Sequence, residues 1–373
     1  MEYWAQRPHF SYLFPYRYRT NGARMRLPKL RIAHLEPKYP IVQGGMGVKV
    51  STAPLAAAVA NQGGIGTLSA AEYHHKNRKT AKTDTVRGIT VSRPFLYAHE
   101  LAAEIKRARS MTSGIFGVNI MYAITDFYDL VMTSVDAGVD FIVTGAGFSR
   151  DIYGYVRDFK MPVISICDQP GLAKIAERLG AAAIVVEGKE AGGHLGTDRP
   201  TREILPPVAD AVSIPVIAAG GIWTGQDMED MFKLGASGVQ MATRFVCTHE
   251  CEVSSKFKQA YIDARPEDIT VIKSPVGMPG RAIRNKFLDR VESGEPIKFK
   301  CPLLCLKTCK AKDANYCIAD ALINAYQGRV DQGIIFAGEN AWRSERIVSV
   351  KEIFDELLSH FEPDEVPAAV EES

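Results

Sequence analysis

Short apolar runs ending in glycine or polar residues alternate along this chain with stretches of helical periodicity. The runs lie at residues 40–45, 64–69, 116–121, 141–145, 162–167, 183–187, 215–220 and 239–244. An Ala-rich helix is expected over 53–61, and a long polar and helical stretch ahead of residue 116 looks like an insertion. Runs that are apolar throughout suit strands buried on both faces, hence a parallel sheet with helical crossovers. Three segments end a helix just before a strand in the same way: Ala137-Gly138-Val139-Asp140, Leu179-Gly180-Ala181-Ala182 and Leu234-Gly235-Ala236-Ser237. Glycine there supplies the left-handed turn that closes a helix. An open doubly wound sheet has the same alternation. Eight units and no GxGxxG fingerprint favour closure. The expected fold class is α/β, an eight-stranded parallel β/α (TIM-type) barrel.

After residue 250 the rhythm breaks. Helices are expected over 251–264, 316–327 and 350–361, with an irregular stretch at 265–300 containing Pro275, Pro279 and Pro296. The organisation read from this is an N-terminal arm (1–29), the barrel (30–250) and an inserted lid segment (251–300). A helical, Cys-rich C-terminal extension packing on the barrel (301–361) and an acidic tail (362–373) follow.

Composition narrows the function. At 373 residues there is room for a barrel plus extras, and 46% hydrophobic with 24% charged residues is ordinary for a globular enzyme. A net charge of +2 makes no case for nucleic acid, although residues 17–31 carry six basic side chains and no acidic one. No apolar run reaches the roughly 20 residues of a membrane span, and the first 24 residues lack the apolar core of a signal peptide. Seven cysteines in a core-rich chain suggest reduced thiols and a cytoplasmic location.

The most informative stretch is Glu187-Gly188-Lys189-Glu190-Ala191-Gly192-Gly193-His194-Leu195-Gly196. It places one histidine among glycines directly after a strand. Glycine lets a loop lie flat against a ligand, and imidazole exchanges protons near neutral pH. Glycines also crowd the ends of other expected strands: Gln43-Gly44-Gly45-Met46-Gly47, Gly145-Ala146-Gly147 and Gly220-Gly221. Barrel active sites lie at those ends, with phosphate often held after strands seven and eight. There the N–H groups of Gly220, Gly221, Ala242 and Thr243, with the Thr243 hydroxyl, could hold a dianion. There is one phosphate-sized cluster at these ends and no pyrophosphate fingerprint.

The motifs Gln43-Gly44-Gly45-Met46, Gly117-Val118-Asn119-Ile120-Met121, Thr144-Gly145-Ala146-Gly147, Glu190-Ala191-Gly192-Gly193-His194, Ala218-Ala219-Gly220-Gly221-Ile222 and Gly238-Val239-Gln240-Met241-Ala242-Thr243-Arg244-Phe245 occur in this order. Together they resemble the nitronate monooxygenase (2-nitropropane dioxygenase) family, close to the flavin-dependent enoyl-acyl-carrier-protein reductase. The resemblance covers about residues 30 to 285. It implies FMN, with Gly45, Met46 and Asn119 near the flavin ring and Glu187, Gly192 and Gly193 along the ribityl region. Gly220, Gly221, Gln240, Met241, Ala242 and Thr243 would surround the phosphate, and His194 matches the catalytic histidine. Ala242 departs from the family's usual glycine.

The activity this implies is oxidation of alkyl nitronates with O₂ to a carbonyl compound and nitrite, His194 serving as base for a neutral nitroalkane. The alternative is NAD(P)H-dependent reduction of an enoyl thioester with His194 as proton donor, and a further one is a non-catalytic flavin-binding module. The expected partner is a small molecule, with no nucleic acid, no membrane and a homodimer as an option.

Other residues invite weaker readings. Cys301, Cys305, Cys309 and Cys317 form a C-x3-C-x3-C-x7-C run whose spacing fits neither common zinc sites nor ferredoxins; a bound metal and a set of idle thiols are both open. His74 and His75 read as solvated surface, Asp168 as a pocket residue or a helix cap, and Arg244 as an ion-pair partner. The run Ser274-Pro275-Val276-Gly277-Met278-Pro279-Gly280-Arg281 has the composition of a shaped loop able to touch substrate.

Overall fold

The computed structural model describes residues 24–71, 82–86, 89–93, 95–299, 305–307, 309–310 and 313–363. Eight parallel strands form one sheet: β1 (Ile41–Gln43), β2 (Gly66–Ser69), β3 (Phe116–Met121), β4 (Ile142–Gly145), β5 (Val163–Ile166), β6 (Ala183–Glu187), β7 (Val216–Ala219) and β8 (Gly238–Met241). Each pairs with its neighbour in sequence from β2 to β8, and β8 pairs back onto β1. A bridge from Val42 to Ile65 joins the remaining edges. The barrel expected from the repeating runs is the observed fold.

The two-residue period of the strands sorts their side chains into two cores. Ile184 and Val186, Val216 and Ala218, Phe116 and Val118 face outward, in the larger apolar cluster that also takes in the helices. Val143, Ile164, Ala183, Val185, Ile217 and Ala219 fill the barrel interior, joined by Leu30, Ile32 and Leu35. A bridge between Ile32 and Leu35 holds that short N-terminal turn together. Gly138, Gly180 and Gly235 have φ of 84°, 109° and 100°, the left-handed turns their repeat predicts.

Several expectations need correction. Residues 265–300 are not irregular: Ile269–Lys273 and Pro279–Ile283 form an antiparallel hairpin, followed by the helix Lys286–Glu292. The β-branched run Ile269-Thr270-Val271-Ile272 favours a strand, and Pro279 is tolerated because it stands first in its strand. The helix expected from Cys251 begins at Ser255, capped by Ser254 accepting from Phe257 N–H. The inserted stretch after β2 contains a two-stranded hairpin (Lys82–Val86 with Ile89–Arg93) and the helix Phe95–Met111. His74, His75 and Cys301 lie outside the described residues.

Candidate active site

Strand periodicity decides which side chains reach the mouth of the barrel. On β6, Ala183 and Val185 point inward, so Glu187 does too. The same alternation turns Asn119 of β3 and Gln240 of β8 inward. Glu187 and Gln240 each pair in register with Ala219 of β7, which places them on one level of the barrel at its C-terminal end. No hydrogen-bond partner of the Glu187 carboxylate is found among the described residues, and burial pushes it up to about 7. A carboxyl that close to neutrality can present either a donor or an acceptor to a bound hydroxyl.

Gly45 sits against Asn119. The Asn119 amide donates to Gly45 O at 3.4 Å, and a Cβ on Gly45 would lie 2.5 Å from Asn119 Cβ. Gln43 anchors this loop from beneath. Its amide donates to Ser51 Oγ at 2.8 Å, and its Oε1 accepts from Thr67 N–H. Ser51 Oγ in turn accepts from Met46 N–H.

His194 lies in a two-residue strand, Gly193–His194, paired antiparallel with Gly280 and Arg281 of the second hairpin. Its Nε2 is 2.8 Å from Ser274 Oγ, and its ring meets Phe336 edge-on at 5.0 Å between centroids. Burial holds the imidazole down at about 4, so it is neutral at pH 7. Gly192 is required by close approach: a Cβ there would stand 2.6 Å from the backbone of Ala337 and Gly338.

At the ends of β7 and β8, Gly220 and Gly221 take φ of 98° and 77°. The half-buried N–H groups of Gly221 and Ala242 have no acceptor among the described residues, which leaves both donors open to a ligand. That corner therefore suits a phosphate. Ala242 has a φ of −119°, open to any residue, so its methyl does not strain the loop. Thr243 Oγ1 accepts from Gly338 N–H at 2.9 Å, and the Asn340 amide donates to Gly221 O at 2.9 Å. Gly338 and Asn340 thus belong to this corner, and no motif marks them in the sequence.

The remaining candidates separate. Arg244 pairs with Glu356 at 2.5 Å and stacks over Trp223, as an ion-pair partner should. Asp168 does not cap the following helix, whose N-cap is Gln169; it lines an open cavity instead. Cys305, Cys309 and Cys317 are half-buried, and no group of three or more His, Cys, Asp or Glu among the described residues could hold a metal ion. No helix of the described residues is long and apolar enough to cross a membrane.

A family model described as nitronate monooxygenase matches residues 29–360. A Mycobacterium tuberculosis protein named (3aS,4S,5R,7aS)-5-hydroxy-7a-methyl-1-oxo-octahydro-1H-indene-4-carboxyl-CoA dehydrogenase is 33% identical over 274 residues, covering 73% of this chain and 70% of that one. A probable nitronate monooxygenase of Staphylococcus aureus is 28% identical, over 70% of this chain and 79% of its own. Among solved structures, FabK from Thermotoga maritima superposes with a TM-score of 0.71 and 30% identity, over 87% of this chain and 93% of that one.

Proposed function

We propose, on the premise that the chain belongs to the nitronate monooxygenase family, that it is an FMN-dependent oxidoreductase that oxidises alkyl nitronates to a carbonyl compound and nitrite. The observation that carries this reading is a half-buried imidazole, neutral at pH 7 and fixed by Ser274, on the loop that follows β6. A neutral imidazole is a base, and a neutral nitroalkane must lose its α-proton before it can be oxidised as the nitronate.

With Nε2 engaged by Ser274, Nδ1 is the nitrogen left to take that proton. Ser274 Oγ then accepts from Nε2–H and keeps the lone pair on Nδ1. FMN fits the mouth: Gly45 and Met46 with Asn119 would face its ring, and Glu187, Gly192 and Gly193 its ribityl chain. Gly220, Gly221, Gln240, Met241, Ala242 and Thr243 would surround its phosphate. When bound, the flavin supplies the electron acceptor, and O₂ completes the reaction. Phe336 and the hairpin shield the imidazole from water. Buried thiols at Cys167, Cys247 and Cys251 agree with a cytoplasmic enzyme.

A second reading has its own support. The Mycobacterium tuberculosis relative is named a carboxyl-CoA dehydrogenase, which favours a thioester substrate and NAD(P)H-dependent chemistry at its carbon–carbon bond, with His194 moving the proton. Anaerobic mixing of the purified protein with a nitronate, NADH or NADPH separates the two. Bleaching by nitronate alone supports the first reading; bleaching by a nicotinamide supports the second. Release of FAD on denaturation, or failure to bind any flavin, overturns both.

A further inference from the structure

The strand that carries His194 has two faces, and the second borders a cavity of about 850 Å³ that opens to solvent. Strand alternation separates the two environments. His194 pairs with Gly280 on the inner face. Leu195, Pro279, Arg281 and Val271 line the cavity on the outer face. Its far wall is the end of β5 and the first turn of the helix Pro170–Leu179, whose N-cap Gln169 makes no side-chain capping bond.

Three cations line this space: Lys189, Arg199 and Arg281. Among the described residues Lys189 and Arg281 are in no ion pair with a carboxylate, and Arg199 reaches Glu203 only at 3.9 Å. Arg281 donates one N–H to Lys189 O at 2.8 Å, while its Nε is buried with no partner. Two acids, Asp168 and Asp198, share the wall, so a bare anion would meet both attraction and repulsion. The apolar surface comes from Leu195, Pro279 and Val271, and Val271 is 51% exposed.

Cations for phosphate oxygens, carboxylates for ribose hydroxyls or an exocyclic amine, and flat apolar surface for a base are what a nucleotide needs from one site. We propose that this cavity binds the phosphorylated adenosine end of a nucleotide carrier, the chemistry that coenzyme A and NADPH share. The inference rests on the second reading above, because simple nitronates carry no nucleotide. The loop 188–199 walls the cavity and also carries His194, so the handle would be held beside the site where its reactive end is used.

Titration of the purified flavoprotein tests this, with coenzyme A, dephospho-coenzyme A, NADPH, NADH and inorganic phosphate as separate probes. Coenzyme A or NADPH should bind with Kd below about 100 μM. Whichever binds names the source, and its counterpart lacking the ribose phosphate should bind about tenfold more weakly. Arg199→Ala, and Val271→Glu at an exposed position, should each weaken binding about tenfold or more while flavin content is unchanged. No binding of any nucleotide at about 2 mM, or wild-type affinity in both variants, overturns the site and leaves the chemistry of His194 untouched. Nucleotide binding without thioester turnover overturns the second reading and supports the site.

Discussion

Ser274 Oγ lies 2.8 Å from Nε2 of His194, although 80 residues separate them in sequence. The hairpin brings them together, since Gly280 pairs with His194 while Ser274 follows the partner strand. We therefore propose Ser274 as a positioning residue for the imidazole. Ser274→Ala should lower kcat on a neutral nitroalkane about tenfold, within the usual worth of one hydrogen bond to a reacting group. KM and flavin content should barely change, and Ser274→Thr should restore much of the rate. Steady-state kinetics across the three proteins decides it, and a change in KM alone would return Ser274 to the scaffold.

The two shifted groups of the site give stability opposite slopes with pH. Glu187 titrates at about 7 in the folded protein against an ordinary 4.5. The folded state then holds its proton longer, and stability falls as pH rises from 4.5 through 7. His194 titrates at about 4 against 6.5, so stability falls as pH drops from 6.5 toward 4. Glu187→Gln should match the wild-type flavin-free protein at pH 4.5 and exceed it at pH 8 by up to about 3 kcal/mol. Urea unfolding at both pH values checks this, and an equal difference at the two rejects the carboxyl as its source.

Neighbouring glycines should respond differently to one methyl. Gly192→Ala forces a Cβ to 2.6 Å from the backbone of Ala337 and Gly338 and should cost about 2–4 kcal/mol, with loss of flavin. Gly193→Ala meets nothing within 4 Å but sits at φ 84°, so its cost should be about 1 kcal/mol, from backbone alone. Thermal unfolding and flavin content of the two variants give the comparison. Equal losses would mean that contact with the C-terminal segment does not matter.

Legibility of the fold came from period and punctuation. The eight runs were readable because their inward and outward faces are both apolar, and the three helix-ending glycines do have positive φ. Asn119, Glu187 and Gln240 could be placed because each lies at an inward-facing position near the C-terminal end of such a run. The hairpin at 269–283 was hidden by Pro275 and Pro279, which read as breakers although one lies in the turn and the other opens a strand. Ser274 opens the run whose composition marks a shaped loop, but Phe336, Gly338 and Asn340 reach the site through long-range contacts alone, of which local sequence carries no signal. Asp168 beside Pro170 looked like a cap, but the chain turns one residue later, at Gln169.

The role proposed for His194 is to move a proton at the substrate carbon. Anaerobic stopped-flow reduction of the flavin by a neutral nitroalkane and by its pre-formed nitronate, in wild type and His194→Asn, tests it most directly. The expected result is a loss of about 10²–10⁴-fold with the neutral compound, near-wild-type reduction by the nitronate and unchanged flavin content. Equal, small losses on both substrates would contradict it.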